Sequence, residues 1–283
     1  MNDPKLPSSV HSVTLPDLGN NVYLVTGQRS AFIDSGNGSD NEMGEIVSLW
    51  QDAGSPDIAA IILTHRHRDH AGGAGRLSEA TGGRIFCSSP EKIFIDSLYS
   101  GATMRDTVEH GEMLDLGGVT LEVVGTPGHT MGSISMMYRE ERVLFTGDTV
   151  LGNSSTVIRS DQGDMSLYLD SLKKLLSYEI RVIAPGHGPV LTNPRAELRK
   201  LIEHRLKRER QILELISDGR DTVDAVFRAL YLHLDTEMRE LAGEQIRSHV
   251  IKLEGEGRVV SSSDRNTFSL PNGKDSGGSQ HDI

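Results

Sequence analysis

The chain has 283 residues, a formal net charge of −11 and one cysteine, Cys87. That length suits one large domain plus a small one, with ample buried core. The acidity argues against a binder held to nucleic acid mainly by charge, and a lone cysteine excludes an internal disulfide framework. Met1–Ser9 lacks the basic and apolar blocks of a signal peptide, and no apolar run approaches membrane-spanning length. The expectation is a cytoplasmic protein with no membrane partner.

In chain order, Val10 to Thr26 reads as two short strands around the turn Pro16–Asn20, and Ala31–Gly36 as a third strand ending in a turn. Asp40 is placed to cap a helix whose Met43, Ile46, Val47 and Trp50 form an amphipathic stripe facing the core. Gly54-Ser55-Pro56 stops it. Ile58–Leu63 is a continuous apolar run, read as a buried strand. It delivers Thr64-His65-Arg66-His67-Arg68-Asp69-His70, followed by Ala71-Gly72-Gly73. Imidazole and carboxylate together suit zinc, iron or manganese. His65 and His67, two apart, can turn toward one ion, while Asp69 and His70 reach a second. A plain polar turn is a poor alternative for so many ligand side chains in one loop.

One loop cannot complete two coordination spheres, and three further candidates each follow a strand-like run beside glycine: His129 after Val119–Val124, Asp148 after Arg142–Phe145, and His187 after Ile180–Ala184. Strand–helix–strand alternation through Cys87, itself read as a packing residue, supports an α/β layered domain. Pro90–Tyr99 reads as a helix, Ser100–Met104 as a loop, His110 as a surface residue and Gly111–Gly117 as a turn region. Asp164 opens a helix with Tyr168, Leu172, Leu175 and Leu176 on one face, Tyr168 being better read as packed than as a substrate contact.

Past Pro189 the pattern changes. Pro194 to Ile216 forms a long helix with proline in its first turn, and two further helical stretches occupy 221–255. Gly255–Ser261 and Asn266–Leu270 read as a small hairpin, giving the element order of a winged helix. Acids outnumber bases between 221 and 260, which does not favour DNA. The basic stretch is the preceding helix, where Arg195, Arg199, Lys200, Arg205, Lys207, Arg208 and Arg210 alternate with Glu197, Glu203 and Glu209. It reads as a solvated helix with i,i+4 pairs or as a positive wall for an anionic substrate. Pro271–Ile283 is Gly/Ser-rich and expected to be disordered.

The run His65-x-His67-x-Asp69-His70, with His129, Asp148 and His187, resembles the signature of the metallo-β-lactamase superfamily. The resemblance implies an αββα sandwich with a two-metal site at one edge of the paired sheets. Carried over by position, His65, His67 and His129 bind the first metal, Asp69, His70 and His187 the second, and Asp148 bridges them. Asp34 falls near the metal loop, and it or Thr64 is a candidate to orient the imidazoles.

The division expected is 1–193 for the catalytic domain, 194–270 for a linker helix plus winged helix, and 271–283 for the tail. Pro185–Val190, then His204-Arg205-x-x-Arg208-Glu209-x-Gln211-Ile212, then the winged helix, resembles the lactamase-beta-two-like branch. That branch includes single-stranded-RNA endonucleases and thioester hydrolases. The chain departs from the family at Arg66, where Trp is common. The implied activity is that of a dinuclear zinc hydrolase, with iron or manganese as alternative metals. Asp69 is the expected catalytic group, orienting or deprotonating a metal-bridging hydroxide or its parent water.

Single-stranded RNA is the first substrate reading. An acyl thioester, in a cleft lined by Met131, Met136 or Met137, is the alternative. A β-lactamase or a mononuclear-iron persulfide dioxygenase fits less well. A homodimer is among the assemblies that the C-terminal elements suit.

Overall fold

The computed structural model describes residues 6–97, 105–231 and 238–271. The loop expected at 100–104 and the tail from 272 lie outside the described residues. The chain divides into two compact units, one of residues 1–158 and 162–204, the other of 159–161 and 205–283.

In the first unit, β1 (Val10–Thr14) and β2 (Asn21–Val25) form an antiparallel hairpin, and β2 pairs antiparallel with β3 (Ser30–Ile33). Helix α1 (Asp40–Asp52) crosses to β4 (Ile58–Ile62), which lies parallel to β3. The cap of α1 is Ser39, not Asp40. Ser39 has extended backbone, so its hydroxyl accepts from Glu42 N at 3.3 Å, whereas Asp40 is already helical. Then come α2 (Arg68–Ala71), α3 (Ala74–Thr81), β5 (Arg84–Ser88), α4 (Ser89–Ser97) and β6 (Arg105–Val108). The sheet order is β1-β2-β3-β4-β5-β6, parallel from β3 onward, as helical crossovers require.

Alternation along these strands explains why they read as unbroken apolar runs. Leu24, Phe32, Ile61 and Cys87 share one core with Ile46 of α1, Leu77 of α3 and Ile95 of α4. Tyr23, Val25, Ile33 and Ile62 point the other way, into a core shared with Leu121, Val123, Met136 and Phe145. Each such side chain contributes about 1.5–3 kcal/mol on burial.

Those last four residues belong to the second sheet, ordered β11-β10-β9-β8-β7. Its strands are β7 (Met113–Asp115), β8 (Thr120–Gly125), β9 (Ile134–Tyr138), β10 (Val143–Gly147) and β11 (Val182–Pro185). The expected turn at 111–117 therefore contains a short edge strand, satisfied by pairing with β8. Between β10 and β11 runs α5 (Met165–Leu175), which buries Tyr168, Leu169, Leu172 and Leu175. Asp164 caps it by accepting from Leu167 N. The β10–β11 register shifts between Phe145 and Gly147, and such an irregularity re-aims the residues that follow, here Asp148.

Helix α6 (Pro194–Ser217) begins in the first unit and continues into the second. In the second unit, α7 (Val223–Leu230), α8 (Met238–Gly255) and a hairpin of β12 (Val260–Ser261) with β13 (Phe268–Ser269) surround their own core. Ile212, Val226, Ile246, Val250, Leu253 and Phe268 fill it. Glu209, buried, accepts from Lys252 Nζ at 2.7 Å and Arg258 Nη1 at 2.8 Å. Among the described residues, no helix is long and apolar enough to cross a membrane.

Candidate metal centre

Five loops that follow strand C-termini converge at one edge of the two sheets. They carry Asp34 after β3, His65 to His70 after β4, His129 after β8, Asp148 after β10 and His187 after β11. The metal loop is tied across the sandwich by Ile134 N donating to Thr64 O at 2.9 Å. Its Gly72-Gly73 step has a steric cause: a Cβ on Gly73 would lie 2.1 Å from Ser35 O, and one on Gly72 would lie 2.4 Å from Asn37 O. The turn after α2 can therefore lie directly on the loop carrying Asp34 only without side chains.

All seven residues singled out in the sequence come together. Three groups of ligand atoms, each within 4.8 Å of one another, are His65/His67/His129, His65/His70/Asp148 and Asp69/His70/His187. His67 Nδ1 lies 3.0 Å from both His65 Nε2 and His129 Nε2. On the other side, His187 Nε2 is 3.2 Å from His70 Nε2 and 3.1 Å from Asp69 Oδ2. Asp148 faces both sets: Oδ1 is 3.3 Å from His70 Nε2 and 3.7 Å from His187 Nε2, while Oδ2 is 3.8 Å from His129 Nε2. Gly186 leaves this space open, since a Cβ there would lie 2.7 Å from both Asp148 Oδ1 and His70 Cε1.

The far sides of the rings are fixed as well. His70 Nδ1 is 2.7 Å from Asp34 Oδ2, and Asp34 also accepts from Thr64 N at 2.8 Å and Thr64 Oγ1 at 2.9 Å. With its proton given to Asp34, the Thr64 hydroxyl accepts from His65 Nδ1 at 3.0 Å. His129 Nδ1 donates to Val157 O at 2.9 Å, with Thr156 Oγ1 at 3.0 Å. Each of these bonds places the N–H outward and leaves the Nε2 lone pair facing the cluster. Asp34 therefore serves the site and is no plain turn residue. It adopts φ 63°, a left-handed conformation in which aspartate is one of the tolerated residues.

Electrostatics divide the cluster. Burial, reinforced by His70 and His129, pushes His65 well below the usual histidine range. Burial also pushes His129 down to about 4, against the pull of Asp148. Burial acts the same way on His70, but the carboxylates of Asp148 and Asp34 overcome it and raise His70 well above the usual range. Burial likewise opposes ionisation of Asp148, yet attraction to His70 and His129 holds its carboxyl at about 2. Asp69 is lowered in the same way: burial opposes it, and its bonds to His187 and His70 prevail.

The donor set fits cations. Around His67, imidazole nitrogens face one another at 3.0 Å, and the buried Asp148 Oδ1, 3.3 Å from His70 Nε2, makes no hydrogen bond among the described residues. Crowded imidazole nitrogens and a buried carboxylate oxygen without a hydrogen bond are costly, and a bound metal ion would satisfy both.

Four contributors escaped sequence reasoning. Asn20 Nδ2 donates to Asp69 O at 2.6 Å. Asn21 Nδ2 donates to Pro185 O and Gly188 O, which straddle His187, at 3.0 and 2.8 Å. Gln162 Oε1 lies 2.9 Å from His67 Nε2, and Thr156 stands behind His129. Elsewhere the readings hold: Cys87 is buried, and Tyr168 is fully buried with its hydroxyl on Thr149 O. His110 is exposed. Met136 and Met137 are core, leaving Met131 as the exposed methionine of the three.

The comparisons agree with this geometry. The family model of the metallo-beta-lactamase superfamily matches residues 15–187. The beta-lactamase-like protein 2 homolog of Caenorhabditis elegans is 30% identical over 265 residues, 92% of this chain and 86% of that protein. An atrochrysone carboxyl ACP thioesterase of Aspergillus fumigatus is 33% identical over 198 residues, 69% of this chain and 59% of that protein, so the chain spans under two thirds of its length. Among solved structures, a metallo-beta-lactamase family protein from Thermus thermophilus aligns with TM-score 0.77 and 25% identity, covering 94% of this chain and 99% of that one. With a His/Asp metal-binding cluster at the expected edge of the expected sandwich, the chain belongs to the metallo-beta-lactamase superfamily and is a hydrolase of that fold.

Proposed function

We propose that the chain is a dinuclear metal-dependent hydrolase of acyl thioesters. His65, His67 and His129 hold one cation, Asp69, His70 and His187 hold the other, and Asp148 links them. The observation that carries the two-cation reading is Asp148 itself, whose two oxygens face the two histidine sets. Zinc is the metal best matched to this mixture of imidazole and carboxylate, with iron and manganese as the alternatives. Bound cations supply an activated water near neutral pH and polarise the attacked acyl oxygen.

Asp69 is the group positioned to manage the proton of the attacking water. It is ionised, partly exposed at the cluster's edge, and held by Asn20 through its backbone carbonyl. The thiolate product of thioester cleavage, with a pKa of about 8.5, departs without a proton donor. No separate general acid is therefore required.

Surroundings favour a thioester over RNA. Phe94, at 47% exposure, lies under the Arg66 guanidinium beside the metal loop, and Met131, two residues past His129, is 48% exposed. Both offer apolar surface near the cluster. A cavity of about 270 Å³ borders the loop Val150–Ser155, lined also by Lys200, Leu201 and His204. The Val150–Ser155 loop is tied to the cluster by Gly152 N donating to His187 O at 2.8 Å. Mixed apolar and polar lining of this kind suits one arm of a small amphipathic substrate. The basic helix offers less of a phosphate wall than its composition suggests: Arg205 is buried, and Arg208 lies 4.6 Å over the ring of Tyr231.

The test is a panel of acyl-CoA and acyl-pantetheine thioesters followed by thiol release, beside a labelled single-stranded RNA. Metal-dependent thiol release with intact RNA is the expected result. RNA cleavage with intact thioesters would replace this substrate by the phosphodiester and leave the two-cation centre standing.

A further inference from the structure

We infer that Gln162 and Arg66 form a positioning pair that fixes the orientation of His67 at the first cation site. Among the clustered histidines, His67 is the one that meets its neighbours through Nδ1, which lies 3.0 Å from His65 Nε2 and from His129 Nε2. A histidine offering the Nδ1 lone pair carries its proton on Nε2. That N–H needs an acceptor, and Gln162 Oε1 stands 2.9 Å from it. The amide of Gln162 presents oxygen, as the Nδ1-binding tautomer demands.

Gln162 sits in a turn, so something must hold that turn in place. One restraint is Asp164 N donating to Gly128 O at 2.9 Å, next to His129. The other is Arg66, whose Nη2 donates to Gln162 O at 3.4 Å. Arg66 is itself immobilised, with its side chain only 12% exposed. Its guanidinium lies 3.9 Å from the centre of the Phe94 ring, and its Nε lies 3.7 Å from Glu91 Oε2. Glu91 is buried, and Oε2 has no hydrogen bond among the described residues, so the Arg66 charge is what balances it. The other oxygen of Glu91 accepts from Gly132 N at 2.8 Å. Charge attraction is strengthened in such a desolvated setting, and stacking over the ring adds to it. Arg66 thus clamps α4, the loop after His129 and the Gln162 turn around His67. The unusual arginine of this chain has a local use that needs no substrate anion.

This inference rests on the two-cation reading and not on the choice of thioester. The experiment measures the two zinc dissociation constants by chelator competition, with circular dichroism of the metal-free proteins to verify folding. Gln162→Leu and Gln162→Ala, which remove the acceptor, should weaken one of the two cations by about 10–100-fold, the usual cost of losing a group that orients a ligand. Gln162→Glu keeps the acceptor and should stay near the unmodified protein. Arg66→Ala should weaken the same cation by a smaller factor, and the Arg66→Ala/Gln162→Leu double variant should be no worse than Gln162→Leu alone, because both act through His67. Unchanged binding of both cations in the Leu and Ala variants would overturn the inference, as would a Glu variant as weak as Leu. An unmodified protein that binds no zinc, iron or manganese would instead overturn the two-cation reading, and this inference with it.

Discussion

The two halves of the cluster are built on different electrostatics. Around His67, three imidazoles meet with no carboxylate of their own, and burial keeps His65 and His129 far from protonation. Around His70, imidazoles are embedded among Asp34, Asp69 and Asp148, and His70 is drawn toward its charged form. The first half is a neutral nitrogen pocket ready to donate lone pairs. The second is an anionic pocket in which a proton and a cation compete for the same field. On the proposed two-cation reading, cations bound side by side would repel one another, and Asp148, facing both halves, is the anion placed to offset that repulsion.

The largest effect should come from removing what the halves share. Asp148→Ala is expected to abolish turnover and lower metal content below two ions per chain, read by elemental analysis. A fully active, fully loaded variant would break the bridging assignment. Next, His67→Ala and Asp69→Ala should each leave about one ion bound, the first emptying the neutral half and the second the anionic half. Loss of turnover at retained metal content in Asp69→Ala would point to its proton role instead.

Asp34→Asn comes third. Asparagine tolerates the left-handed backbone, so the change removes charge behind His70 without straining the loop. A loss of about 10–100-fold in affinity for the second cation is expected, with about 1–3 kcal/mol of stability from imperfectly satisfied Thr64 and His70 donors. Glu209→Gln, in the C-terminal unit, should cost about 1–3 kcal/mol by weakening its bonds to Lys252 and Arg258, with both zinc affinities unchanged. Smallest of all, Arg208→Glu should cost about 0.5–1 kcal/mol through the lost stack on Tyr231 and leave thioester turnover intact. A strong, salt-dependent fall in RNA cleavage in Lys207→Glu/Arg208→Glu would restore the phosphate wall.

This contrast also marks what the sequence made legible. The ligand set is legible because four of its residues crowd the one loop after the apolar Ile58–Leu63 run, and His129, Asp148 and His187 each follow a strand-like run beside glycine, a local pattern. The layered α/β domain follows from strand–helix–strand alternation, whereas the αββα sandwich follows from the family resemblance. Asn20, Asn21 and Gln162 could not be read, because their partners lie 49, 164 and 95 residues away and nothing local distinguishes them from turn polar residues. Asp34 is hard to read for the same reason: its partners Thr64 and His70 lie 30 and 36 residues away. The cap of α1 was misplaced by one residue, since Ser39 and Asp40 are both good caps and the backbone at Ser39 decides between them. The basic helix is the least legible stretch, because composition cannot tell that Arg205 is buried or that Arg208 lies over the Tyr231 ring.

The most direct measurement is the metal content of the purified protein, taken together with thiol release from an acyl thioester before and after chelation. About two ions per chain, with turnover lost on chelation and restored by zinc, iron or manganese, is the expected result. One ion or none per chain in a fully active protein would contradict the shared two-cation centre on which everything above depends.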